Sequence, residues 1–213
     1  MSDLLVLAPL RVEAIAIRSA ARALRVRTTG MGPRRARAAA ASMLEDPAAA
    51  LLVVGFGGGL SYDDELGEVV VAERVVAVDG HGGREGPAVP CAGVDALASA
   101  LSEHGLAVRR GTVASVQEIV TGQERARMLA SGALAVDMES AWLAQAARER
   151  PFAVVRIISD TPRRELRQRL PVGPPLPSVA DGLRAAAALR SVARALGRLI
   201  GERGVHTVFG PAI

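Results

Sequence analysis

Ala153-Val154-Val155-Arg156-Ile157-Ile158-Ser159-Asp160 is a strand-length apolar run that closes on an acid, and its reading decides the fold. A matching run, Leu4-Leu5-Val6-Leu7-Ala8, lies near the start of the chain and leads through Pro9 and Leu10 to Arg11, Val12 and Glu13. Between them, apolar runs alternate with helical patterns, which predicts a three-layer α/β/α domain. Strands are expected near 3–8, 25–29, 51–56, 67–77, 107–116, 133–137 and 152–158. Helices are expected near 10–23, 33–45, 94–104, 122–131, 138–149 and 179–203. In an open α/β sheet the carboxyl ends of the strands converge on one crevice, where ligands bind. Glu13 and Asp160 would thus reach one crevice from opposite ends of the chain, and two carboxyl groups placed so can divide base and acid work. A third acidic cluster, Val136-Asp137-Met138-Glu139-Ser140, lies between them.

The 213 residues suffice for one large domain, read as spanning 1–213, and half of them are hydrophobic, which argues against disorder. All 26 basic residues are arginine, and the net charge is +4. These arginines are scattered and aromatics make up only 2%, too few for base stacking, so no nucleic-acid partner is expected. The single cysteine, Cys91, excludes an internal disulfide and fits a reducing compartment. The first apolar run is short and has no basic leader, so it does not read as a signal peptide. No stretch approaches the roughly 20 apolar residues that span a bilayer. A cytoplasmic protein is the expectation.

Local chemistry marks several boundaries. Gly32-Pro33 places proline at a first helical position, where its missing N–H costs nothing. Thr121-Gly122-Gln123-Glu124 has the pattern of a capping box, and Ser178 opens the last helix. Residues 78–92 read as a Gly/Pro-rich loop, and 161–177, with Pro162, Pro171, Pro174, Pro175 and Pro177, as a lid or connection. Gly30-Met31-Gly32 lacks the third glycine of a dinucleotide fingerprint, Arg35 standing in its place. Gly55-Phe56-Gly57-Gly58-Gly59-Leu60 leads to another strand rather than into a helix. Its glycines serve either tight turns or the close approach of backbone to a ligand, and the strand-end position favours the ligand. His81, His104 and His206 have no ligand spacing, so no metal and no cofactor are implied. The acids keep plainer readings too. Asp160 before Thr161-Pro162 fits a turn, Glu13 fits a first-turn glutamate, and Asp137 and Glu139 fit the start of the helix that carries Trp142.

Taken together and in order, Ala8-Pro9-Leu10-Arg11-Val12-Glu13, Gly30-Met31-Gly32, Gly55–Leu60, Val136–Ser140 and Val155–Asp160 resemble the nucleoside phosphorylase and nucleosidase superfamily. The resemblance implies that family's mixed central sheet and an enzyme that cleaves the N-ribosyl bond of a purine nucleoside. It also implies residue roles. Asp160 matches the acid that protonates or hydrogen-bonds purine N7, and Glu13 the residue that activates water. Met138 lies under the ribose, and Glu139 accepts its 2′- and 3′-hydroxyls. Gly57 and Gly58 line the substrate, and the Val120 backbone meets the adenine edge. Arg156 and Ser159 support the strand end. Arg11 resembles a phosphate-binding arginine, but its partner positions hold Val53 and Phe56, which cannot stabilise an anion. Water is therefore favoured over phosphate as nucleophile.

Two departures steer the expectation further. Ile119 stands where the adenine-specific nucleosidases carry a stacking phenylalanine, and loop 78–92 is short and without an aromatic. Both features point to the hopanoid-associated branch, with adenosylhopane as substrate, ahead of a methylthioadenosine/S-adenosylhomocysteine nucleosidase or a non-catalytic nucleoside-binding module. An apolar 5′ group brings with it a weak peripheral membrane contact through the arginines of 163–169, with Leu166 and Leu170 beside them. A homo-oligomer, commonly a dimer in relatives, completes the expectation.

Overall fold

The structure, a computed structural model, describes residues 3–79, 83, 86–165 and 179–211. In chain order the strands are β1 (Leu4–Ala8), β2 (Arg25–Thr28), β3 (Ala50–Gly59), β4 (Val69–Val78), β5 (Val89–Pro90), β6 (Val108–Val116), β7 (Ala133–Asp137) and β8 (Phe152–Asp160). The helices are α1 (Arg11–Ala20), α2 (Pro33–Ala41), α3 (Val94–Glu103), α4 (Gly122–Ala130), α5 (Ser140–Leu143), α6 (Val179–Arg203) and α7 (Val205–Phe209).

The strands form one mixed sheet in the order β2-β1-β3-β7-β6-β4-β5, with β8 paired to both β3 and β4. β1 runs parallel to β2 and β3, and β3 runs parallel to β8. β4, β6 and β7 run parallel to one another and meet β3 and β8 antiparallel. The five strands β3, β8, β4, β6 and β7 thereby close on themselves. Side chains alternate between two cores. Leu4, Val6 and Ala8 of β1 and Ala153, Val155 and Ile157 of β8 face Ile17 of α1, Leu101 of α3 and Leu189 of α6. Leu5, Leu7, Val154 and Ile158 face Ala36 and Ala40 of α2 and Trp142 and Leu143 of α5. Helices on both faces explain why β1 reads as an unbroken apolar run and β8 as one interrupted only by Arg156 before Ser159, as strands buried on two sides do. The three-layer α/β/α architecture with a mixed sheet is the expected one.

Several local readings needed correction. The helix expected over 138–149 shrinks to α5 and a 3₁₀ turn, Ala144–Ala146. Its late start has a cause: Asp137 Oδ1 accepts the Glu139 and Ser140 N–H groups at 3.1 and 3.2 Å, so the helix begins only beyond them. Past the turn, Arg148 takes a positive φ of 51° and the chain leaves helical geometry. Thr121 makes no side-chain cap; the Gly122 N–H at the start of α4 instead donates to Glu165 Oε1 at 2.9 Å. Within 78–92, Val89 and Pro90 form a strand against Val75 and Arg74 of β4. Proline is tolerated there because β5 is an edge strand. Pro33 does begin α2, behind Gly32 at φ 91°. Ser178, Leu166 and Leu170 lie outside the described residues.

Candidate active site

β3 and β8 lie side by side in parallel, and their last turns of sequence carry the site. The register runs evenly from Leu51–Phe152 to Gly57–Ile158, then jumps to Gly58–Asp160, which leaves Ser159 as an extra residue. Such a bulge re-aims the side chain that follows it. Asp160 is only 4% exposed, and Ser159 Oγ lies 3.1 Å from its Oδ1 and 3.3 Å from Gly57 O.

The glycines of 55–59 lie within β3, none at positive φ, so turn geometry is not what selects them. Space is. A Cβ on Gly55 would stand 2.7 Å from Glu13 Oε1, and one on Gly58 3.4 Å from Asp160 Oδ2. The two acids therefore pack against positions three residues apart on β3.

Glu13 is 1% exposed. Its carboxyl accepts the Leu10 N–H at 2.6 Å, closing the open start of α1, and the Phe56 N–H at 2.7 Å. Burial pushes its pKa up from 4.5 to about 7, against the pull of those two N–H groups and of Arg156. A carboxylate with such a pKa is poised to take a proton near neutrality. Glu139 is held similarly. Its Oε1 accepts the Gly32 N–H at 2.8 Å, and its Oε2 lies 3.5 Å from Arg156 Nη2. Burial raises its pKa too, with Arg156 opposing and Asp137 adding to the rise.

Arg156 organises this end from inside the sheet. It is fully buried, with Nε 2.8 Å from Asp137 Oδ2 and Nη2 3.0 Å from Ser140 Oγ. Burial opposes its charge, but Asp137, Glu139 and Glu13 outweigh that and raise its pKa. Asp137 is thus the counter-ion of Arg156 as well as the cap of α5.

These groups open onto a cavity of about 620 Å³, lined mostly by apolar side chains and within the usual range for small-ligand sites. Glu13, Gly57, Gly58, Val120, Met138, Glu139, Ser159 and Asp160 all line it, as does Arg11 at an exposed position. Arg156 lies behind the wall. Val53 is buried in the core, and Phe56 lines the cavity, so Arg11 gains no anion-binding partner from them. Ile119 lines the cavity too, 37% exposed.

One member of the site escaped the sequence reading. Arg125 of α4 lines the cavity and is 2% exposed. Its Nη2 pairs with Asp160 Oδ2, and its Nη1 donates to Gly59 O at 2.5 Å. The available signal was periodicity: Arg125 and Met128 form the buried stripe of α4, and an arginine on a buried stripe demands a counter-ion. Asp160 is consequently a buried acid paired with a guanidinium.

A family profile described as the phosphorylase superfamily matches residues 16–200. Sequence comparison with curated proteins finds no match. Among solved structures, the 5′-methylthioadenosine/S-adenosylhomocysteine nucleosidase of Neisseria meningitidis, in complex with methylthio-immucillin-A, superposes with a TM-score of 0.74 at 18% identity. That match covers 93% of this chain and 98% of the other. The S-adenosylhomocysteine nucleosidase of Streptococcus pyogenes gives a TM-score of 0.74 at 22% identity, over 95% and 97%. The futalosine hydrolase of Helicobacter pylori gives 0.72 at 20% identity, over 95% and 99%. At these identities the likeness establishes the fold. These neighbours also overturn the hopanoid-associated assignment and adenosylhopane as substrate. Ile119 is one residue of the cavity wall, and no described residue of 78–92 is among those lining it. By contrast, 93–95% of the chain aligns with the methylthioadenosine/S-adenosylhomocysteine nucleosidases and futalosine hydrolase. The peripheral membrane contact, which rested on a lipid substrate, falls with it. Among the described residues no helix is long and apolar enough to cross a membrane.

Proposed function

The chain belongs to the phosphorylase superfamily, and from that premise we propose that it hydrolyses the N-ribosyl bond of a 5′-substituted adenosine of the methylthioadenosine/S-adenosylhomocysteine type, releasing adenine. An enzyme of the purine nucleosidase and nucleoside phosphorylase class is what the sequence led one to expect, and the family match bears it out. The observation that carries the finer reading is the placement of Glu13 and Asp160 on the wall of a single cavity, with Glu139 and Met138 also lining it. A non-catalytic binding module has no need of a buried carboxyl raised to about 7.

The chemistry runs from the base inward. Adenine leaves poorly until its imidazole edge receives a proton or a strong hydrogen bond, and the Asp160 end of the cavity holds that edge. As the C1′–N9 bond breaks, its electron pair goes to the purine and C1′ gains oxocarbenium character. Glu139 accepts the ribose hydroxyls and stabilises the positive charge electrostatically. Glu13 takes a proton from water as the water oxygen bonds to C1′. Each such positioned group is worth about 10²–10⁴-fold in rate. Water rather than phosphate attacks, since the positions expected to partner Arg11 hold Val53 and Phe56, which cannot stabilise an anion. The test is incubation with 5′-methylthioadenosine in buffers with and without phosphate. Equal adenine release in both supports hydrolysis, and release only with phosphate contradicts it.

A further inference from the structure

Two arginines on the cavity wall take no part in the scheme above. Arg11 of α1 and Arg190 of α6 both line the cavity and are exposed, which places them at its opening. We propose that Arg11 and Arg190 select a 5′ substituent that ends in an anion, a carboxylate carried on a short apolar stem. The proposal rests on the nucleosidase reading and narrows its substrate class.

Three observations carry it. First, elimination fixes the direction of the substituent. With the purine at Asp160 and the ribose at Glu139, the group on C5′ runs along the remaining wall, which is chiefly α1 and α6. Second, the two helices bring the arginines level with each other. They pack side by side: a Cβ on Gly197 would stand 3.0 Å from Ala21 Cβ, just past the end of α1. The first halves of both helices line the cavity, so they run in the same direction. Counting back equally from that contact reaches Arg11 on α1 and Ala187 on α6, within one turn of Arg190.

Third, the charges at this end are unbalanced. The acids of the cavity are all buried and engaged elsewhere, Asp160 with Arg125, Asp137 and Glu139 with Arg156. Glu13 is taken up by the Leu10 and Phe56 N–H groups. Among the described residues neither Arg11 nor Arg190 forms an ion pair. Arg11 also opens α1, where the helix dipole adds positive potential. Ala186 and Leu189 give the stem an apolar wall beside the two charges. The nucleophile is not what they serve: Glu13 marks the point of attack and is 1% exposed, whereas both arginines stand at the rim.

Exposed ion pairs are worth at most about fivefold each, so the signature is a ratio between matched substrates. The test compares adenine release from 5′-S-(2-carboxyethyl)-5′-thioadenosine, its carboxamide and the 2-aminoethyl analogue, with 5′-methylthioadenosine alongside. At low salt and without phosphate, kcat/KM for the carboxylate should exceed that for the carboxamide about tenfold, with the amine lowest. Sodium chloride at about 0.5 M should cut this advantage to about twofold. Arg190→Gln and Arg11→Gln should each reduce the carboxylate to carboxamide ratio about threefold. Added phosphate should raise KM for the carboxylate alone. Equal kcat/KM for carboxylate and carboxamide in the wild type overturns the proposal and leaves the nucleosidase reading standing, with no variant required to fold. A ratio undiminished in both variants overturns it as well. Phosphate that accelerates adenine release gives the arginines to the nucleophile and also overturns it. Absence of adenine release from all four compounds overturns the reading and the proposal together.

Discussion

The two ends of the cavity solve the burial of a carboxyl group differently. Glu13 meets neutral donors, the N–H groups of Leu10 and Phe56, and burial leaves its pKa at about 7. Asp160 meets a guanidinium, with Ser159 beside it. In the proposed reading two acids of similar chemistry do unlike work, one exchanging a proton near neutrality and the other, paired with Arg125, facing the leaving base. Environment, more than residue type, separates such roles.

The sharpest way to break the comparison is at the paired end. Asp160→Asn removes the counter-ion of Arg125 and, in the proposed reading, the acid at the leaving base, and kcat should fall by about 10³–10⁴-fold. A loss below about tenfold in steady-state assays would remove Asp160 from the chemistry. At the other end, Glu13→Gln keeps the size of the side chain but cannot take the proton of water. The expected loss in kcat is about 10²–10³-fold.

The pH profile sharpens the contrast further. Glu13 works as a base only when ionised, so kcat/KM of the wild type should fall about tenfold per pH unit below pH about 7. An acid limb centred near the ordinary 4.5 would mean that burial does not govern this carboxyl. The same shift links to stability. The folded state binds this proton more tightly than the unfolded chain does. The contribution is therefore present below about 4.5 and lost as the pH rises through about 7. Thermal melts at pH 5 and pH 8 should show the lower midpoint at pH 8, and Glu13→Gln should narrow the gap. The smallest effect concerns the wall between the two ends. Ile119→Phe restores an aromatic face to the cavity and should lower KM roughly fivefold with kcat unchanged. An unchanged KM would place the base away from residue 119.

Much of this was legible in the chain. The apolar runs of β1 and β8, the second broken by Arg156, announced strands covered on both faces, and the acids that close or follow them do line one cavity. What escaped depends on contacts distant in sequence. Arg125 finds its partner 35 residues away, and nothing local marks the pair. The shortened helix after β7 reflects a second use of Asp137, as cap and as counter-ion of Arg156. The glycines of β3 read as room for a ligand at a strand end; the room that Gly55 and Gly58 also leave for Glu13 and Asp160 exists only once helix and strand are packed. The hopanoid assignment failed for a related reason: one aliphatic residue on the cavity wall, Ile119, does not name the ligand, and no described residue of 78–92 is among those lining the cavity.

The assignment of opposite duties to the two ends is tested most directly by a crystal structure of the Glu13→Gln variant soaked with 5′-methylthioadenosine. The account predicts the purine seated against Asp160 and Arg125, the ribose hydroxyls on Glu139, and C1′ facing residue 13 across a single water. A purine seated at residue 13, with the sugar against Asp160, would contradict it.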